Sequence, residues 1–72
     1  MIRDRARDLA RRCNDAHASG LGFPTIWRTV LKGDALVLAG IRQTHADQEP
    51  VLEVDLITGQ RLRFGRSGFT IV

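Results

Sequence analysis

Cys13 and His17 are the residues of this sequence whose types and spacing come closest to a reactive site. They are one helical turn apart, so a helix would place a thiol beside an imidazole, as in a cysteine nucleophile or a metal site. A structural zinc ion needs four ligands, and His45 is the only other imidazole in the chain. We therefore expect no metal and no cofactor, and we interpret Cys13 as a small buried residue near a helix end.

Glu53 and Asp55 could suggest an acid–base pair. Their alternation with apolar residues and their basic neighbours favour a solvated sheet face instead. The sequence contains no glycine-rich phosphate loop and no nucleophile elbow. We therefore predict that the protein is not an enzyme and takes no small-molecule substrate.

Arginine is the residue type through which the chain could bind a polyanion. The 72 residues include 11 basic and 8 acidic side chains, a net charge of +3, and Lys32 is the only lysine. The candidate binding surface consists of a helical ridge and a strand with its turn: Arg3, Arg7, Arg11, Arg61, Arg63 and Arg66. Aspartates interleave with the ridge, which favours a solvated surface, and a GC-rich genome would enrich arginine without any binding role.

The stretch Arg61-Leu62-Arg63-Phe64-Gly65-Arg66 resembles the strands of sheet-based RNA readers, which stack bases on exposed aromatic rings. The resemblance covers these six residues. Strand alternation places Phe64 on the same face as Leu62, so we expect its ring in the core, and no residue roles are carried over.

Hydrophobic periodicity predicts two helices, at 2–18 and 24–32. The first places Ala6, Leu9 and Cys13 on one apolar stripe. In the second, Trp27 recurs with apolar residues at helical spacing, which favours a core position over an exposed binding hot spot.

The remainder predicts strands at 35–43, 51–57, 60–65 and 68–72. The first is a nearly continuous apolar run, which is typical of a central strand buried on both faces. A polar loop, 45–50, would follow it.

The alternation of side chains between the two faces of a strand limits the expected register, because a shift of one residue would move every side chain to the opposite face of the sheet. A two-residue turn at Arg66-Ser67 pairs Phe64 with Phe69 and Leu62 with Ile71. A three-residue loop at 58–60 keeps the apolar residues of the preceding strand on the same face. The pairs that it predicts are Leu56–Leu62, Val54–Phe64 and Asp55–Arg63.

These elements predict an α+β fold in which two N-terminal helices pack on one face of a three- to four-stranded antiparallel meander. A chain of 72 residues makes one domain, 1–72. A single cysteine, a charged N-terminus and the lack of a long apolar run predict a bacterial, cytoplasmic protein outside the membrane.

The function that this sequence favours is protein binding without catalysis. The strand 68–72 is apolar on one face and carries neither charge nor proline, so as an edge strand it could pair with a protein partner or form a homodimer. The alternative is weak nucleic-acid binding, if the two arginine groups form one continuous surface.

Overall fold

A computed structural model describes the backbone of residues 2–38 and 40–72 and the side chains of residues 5–38 and 40–72. The helices are α1 (Ile2–Ala18) and α2 (Phe23–Ile26), and α2 continues as a π-helical turn, Trp27–Leu31. The strands are β1 (Arg42–Ala46), β2 (Glu49–Asp55), β3 (Arg61–Gly65) and β4 (Gly68–Ile71). They form one antiparallel sheet in the order β1-β2-β3-β4, with the helices packed against it. The predicted α+β class and meander are confirmed.

The apolar stripe of α1 is buried as its spacing predicts. Ala6, Leu9 and Cys13 have no exposed surface, while Arg7 and Arg11 on the opposite side are exposed. The helix ends at Ala18, and Gly20 follows with a φ of 95°, a left-handed conformation that glycine adopts without a steric penalty. The N–H groups of Gly20 and Leu21 donate to the carbonyls of the last turn, which completes the cap.

The second helix differs from the predicted α-helix over 24–32, because its second half is π-helical. Ile26 and Leu31 are both fully buried, yet five residues place side chains about 140° apart on an α-helix. The π-helical turn brings residues five apart toward the same face, and the N–H of Lys32 donates to the carbonyl of Trp27. Core packing therefore favours the wider turn here.

The prediction of a central strand at 35–43 is wrong. The first strand begins at Arg42 and lies at the sheet edge, and Leu38 and Ile41 are 46% and 44% exposed. Part of the apolar run does follow the end of β2: Val37 forms an isolated bridge with Leu56. The run then leaves the ladder around Gly40, whose φ is 106°.

The predicted polar loop at 45–50 is also too long. Its ends belong to β1 and β2, and the hairpin closes through Asp47 and Gln48. Both have positive φ, 53° and 67°, as a type I′ turn requires.

The register between β3 and β4 is confirmed, with Phe64 opposite Phe69 and Leu62 opposite Ile71. The register between β2 and β3 is wrong by two residues, since the observed pairs are Leu52–Phe64, Glu53–Arg63, Val54–Leu62 and Asp55–Arg61. The N–H of Leu56 donates to the carbonyl of Gln60 in the same register, and the N–H of Gly59 donates to the carbonyl of Leu56, which closes the loop between the two strands. A shift of two preserves parity, so each side chain keeps the face that was predicted.

Aromatic rings join the helices to the sheet. The centroids of Phe64 and Phe69 are 4.6 Å apart, Phe23 lies 5.5 Å from Phe64, and the ring of His17 meets Phe64 edge-on at 5.1 Å. Trp27 and Phe64 are each half-buried and packed against this core, as predicted for each of them.

Asn14 fixes α1 to the outer strand of the sheet. Its Nδ2 donates to the carbonyl of Phe69 at 2.9 Å, and the N–H of Phe69 donates to its Oδ1 at 2.7 Å. The side-chain amide thus replaces a neighbouring strand at this residue. Gly68 makes the approach possible, because a Cβ there would lie 2.7 Å from Oδ1.

We expect Asn14→Ala to lower the free energy of unfolding by about 1–3 kcal/mol, because it removes two hydrogen bonds and leaves the Phe69 peptide groups without partners. Urea denaturation monitored by circular dichroism measures this. Asp15→Ala is the matched control, since it removes only an exposed ion pair and should cost about 0.5 kcal/mol or less. Equal denaturation midpoints for Asn14→Ala and the unmodified protein would contradict a structural role for this contact.

Candidate functional site

The exposed edge of β4 is the first candidate site. Arg61 and Val72 exchange two backbone hydrogen bonds, of 2.9 and 2.8 Å. Because such pairs alternate along an antiparallel ladder, the N–H and C=O groups of Phe69 and Ile71 point away from β3. Asn14 binds those of Phe69. Ile71 is left with an N–H and a C=O that meet no partner in the described part of the chain.

A groove of about 850 Å³ lies beside this edge. Ala10 and Arg7 of α1 form one wall, Phe69, Thr70 and Ile71 of β4 the other, and the loop after β2 contributes Thr58 and Gln60. We call it the edge groove. It places apolar surface and one cation next to free backbone groups, the combination that accepts an extended peptide.

The outer face of the sheet carries Arg61 and Arg63, but both are held by carboxylates. Nε and Nη2 of Arg63 each lie 2.9 Å from Oε2 of Glu53. Arg61 lies 3.8 Å from Glu53 and 3.6 Å from Asp55, and Arg42 also pairs with Asp55. This face neutralises most of its own charge.

Glu53 departs from the predicted solvated face, because its residue is only 3% exposed. It lies at the middle of the outer face, opposite Arg42 on one side and Arg63 on the other. The guanidinium group of Arg63 supplies the hydrogen bonds that a buried carboxylate needs, and Arg61 adds a second positive charge at 3.8 Å.

The other candidate arginines are also paired or lie elsewhere. Arg66 lies 3.0 Å from Glu49, and Arg11 pairs with Asp8 at 2.6 Å and Asp15 at 3.1 Å. The hydrogen bond from Arg11 lowers the pKa of the Asp8 carboxyl. Arg7 lines the edge groove, and the side chain of Arg3 lies outside the described residues.

The two arginine groups do not lie on one face. The helices pack against the sheet face that carries Leu62 and Phe64, so Arg61 and Arg63 point to the opposite side. Arg11 is exposed on α1, and Arg7 of the same helix lines the edge groove. The structure therefore brings Arg61 and Arg63 together but separates them from Arg7 and Arg11.

Cys13 and His17 lie in environments that suit packing in the core. The Cys13 side chain is buried, and the loss of solvation raises the pKa of its thiol to about 11. The ring of His17 packs against Phe64 and Phe69. Among the described residues, no three histidine, cysteine or acidic side chains are grouped as a metal site would need.

Comparison with known proteins finds no match among family models, curated proteins or solved structures. None of the helices in the described part of the chain has the length and apolarity to cross a bilayer.

We expect Cys13 to resist alkylation by iodoacetamide at pH 8 in the folded protein and to react readily in urea, because the thiol stays protonated and buried in the fold. Its pKa in the fold, about 11, lies above the 9.0 of a free thiol, so this group's contribution to stability is complete below pH 9 and is lost as the pH rises toward 11. Mass spectrometry follows the modification. Cys13→Ala should reduce the pH dependence in that range, and rapid modification of the folded protein would contradict the assignment.

We expect any nucleic-acid binding to be weak, independent of sequence and steeply salt-sensitive, because paired arginines hold few phosphates. Each phosphate neutralised contributes a slope of about −0.9 in log K against log salt. Titration with DNA and RNA oligomers at two salt concentrations tests this. Asp55→Asn removes a counter-charge from Arg42 and Arg61 and should strengthen binding if the outer face is used. Tight binding at physiological salt with a base preference would refute the expectation.

Proposed function

We propose that this protein is a non-catalytic protein-interaction module that binds an extended segment of a protein along β4. The observation that supports this most directly is the free N–H and C=O of Ile71 beside the edge groove. The acids of the sheet support binding over catalysis, because Glu53 and Asp55 are engaged by arginines.

An incoming strand would exchange its backbone hydrogen bonds with Ile71 and place a side chain in the edge groove. Arg7 at the wall of the groove favours an acidic residue in that segment. Asn14 limits the register, because it already occupies the peptide groups of Phe69. The segment therefore pairs at Ile71, because the backbone groups of Val72 are bonded to Arg61, and it cannot run the length of β4.

A second copy of the chain is the first partner to test, since β4 is itself a short extended segment with a free edge. We place the module in the cytoplasm of a bacterium, because it has one cysteine and is rich in arginine. Nucleic-acid binding through the candidate arginines is the weaker proposal. Its support is the net charge of +3, and the arginines are divided between two sides of the sheet.

We expect Ile71→Pro to abolish partner binding or self-association through β4, while Ile71→Ala weakens it less. Both variants lose the isoleucine side chain, but only proline removes the outward-pointing N–H. Proline at Thr70 would be a poor test, because Thr70 belongs to a hydrogen-bonded pair with Arg63 and the change would break β4 itself. Sedimentation velocity at several concentrations measures self-association, and hydrogen exchange at Ile71 reports whether the edge is covered.

Circular dichroism verifies that both variants fold. A dimer that survives Ile71→Pro must use another surface. A monomer at millimolar concentration whose Ile71 amide exchanges slowly would show that the edge is already satisfied within the chain, and the proposal would fail.

A further inference from the structure

Trp27 lies between two hollows on the helical side of the molecule. One, of about 360 Å³, is lined by Phe23, Pro24, Trp27, Arg28 and Ile41. The other, of about 280 Å³, is also lined by Trp27 and includes Lys32, Val37 and Leu38. Trp27 is half-buried, so its ring belongs both to the core and to the surface.

Large apolar side chains are exposed at both hollows. Ile41 is 44% exposed at the first, and Leu38 is 46% exposed at the second. Single exposed apolar residues are ordinary, but here they flank one half-buried tryptophan. An apolar side chain that enters either hollow would cover part of Trp27, which is the arrangement of a binding hot spot.

Each hollow also contains a cation. Arg28 lines the first and Lys32 the second, and neither forms an ion pair with a described residue. Asp34 also lines the second hollow, but its carboxylate is already engaged by other groups. Its carboxylate pairs with Arg12 at 3.1 Å and accepts the N–H of Leu36 at 2.9 Å. Arg28 and Lys32 are therefore the cations at this surface that remain available to an acidic partner.

The backbone here is unusual as well. Trp27 begins the π-helical turn, and such turns are rare and occur frequently at functional sites. The turn buries Ile26 and Leu31 together and leaves Trp27 at the edge of the core, with Arg28 exposed beside it.

We propose that the Trp27 surface, formed by Pro24, Trp27, Arg28, Leu38 and Ile41 with Lys32 at its rim, binds a protein segment that carries a bulky apolar side chain flanked by acidic residues. The apolar side chain enters a hollow beside Trp27, and the acids pair with Arg28 and Lys32. This site is separate from the β4 edge and does not depend on the function proposed for it.

Charge complementarity favours this occupant over a second copy. A symmetric dimer through the Trp27 surface would set Arg28 and Lys32 of one copy near the same cations of the other. A nucleic acid would satisfy the cations but would leave Leu38 and Ile41 without apolar partners. A segment with both apolar and acidic groups matches every feature of the surface.

Selection from a library of short random peptides displayed on phage, with the full chain as bait, tests the proposal. We expect the enriched peptides to combine a bulky apolar residue with Asp or Glu. Trp27 is the only tryptophan, so a synthetic peptide of the enriched sequence should shift its fluorescence emission.

Three variants locate the binding. Ile41→Asp should weaken the peptide's affinity at least about tenfold, the usual effect at a hot spot. Its matched control is Ile57→Asp, which alters an isoleucine that is 56% exposed elsewhere and should leave affinity unchanged. The double variant Arg28→Glu/Lys32→Glu should weaken binding about tenfold and reverse its salt dependence. All of these positions are exposed, so the fold is retained, which circular dichroism verifies.

Several results would overturn the proposal. One is that no peptide is enriched, or that the enriched peptides lack acids. Another is equal loss of affinity in Ile41→Asp and Ile57→Asp. A change of Trp27 emission on dilution without peptide would indicate a second copy instead. Binding that is lost in Ile71→Pro would place the peptide at β4, so failure here is distinguishable from failure of the proposed function.

Discussion

The junction between α1 and β4 is the contact on which the rest of the structure depends. β4 pairs with β3 on one side only, and its other side meets a helix that cannot continue a ladder. Asn14 resolves this mismatch by presenting one amide to the backbone of Phe69, so that a helical side chain acts as a short piece of strand. These two hydrogen bonds fix the position and rotation of α1 relative to β4. They therefore also fix where Leu9 and Cys13 lie over the sheet. They also determine which backbone groups remain, since Ile71 lies beyond the reach of Asn14.

The charged side chains of the outer sheet face also bind one another. On the outer face, the cross-strand neighbours Arg63 and Glu53 meet because the register places them opposite each other. The carboxylate is buried by side chains that also neutralise it, so a face with no helical cover tolerates a buried acid. Many of the basic side chains are therefore paired with acids of the same chain. The cations available to a partner are the unpaired ones, such as Arg28 and Lys32.

Much of the fold could be predicted from local sequence pattern. The features that could not be predicted depend on contacts between residues distant in sequence. Parity assigned Leu62 and Phe64 to the core, and the glycines around Arg66-Ser67 fixed the last hairpin. The register of β2 against β3 could not be obtained this way, because it depends on where the turn after β2 is placed. Leu56, at the start of that turn, forms a bridge with Val37, a residue distant in sequence. The strand of the candidate site was predicted, but the contact that limits its free edge was not. Asn14 is one polar residue beside an apolar stripe, and its partner lies 55 positions away.

The failed prediction of a strand at 35–43 and the Trp27 surface share a cause. An uninterrupted strand would have paired along the edge of β2, and its side chains would have alternated between the core and the outer face. Instead the run leaves the ladder near Gly40, and Leu38 and Ile41 are turned toward solvent on either side of that departure. A chain of this size buries little apolar surface, so two large aliphatic residues left outside the core reduce its stability. Where a folded protein leaves large apolar residues exposed and loses stability by it, a binding site is an expected reason. The same reasoning applies to the π-helical turn, which begins at the tryptophan between them.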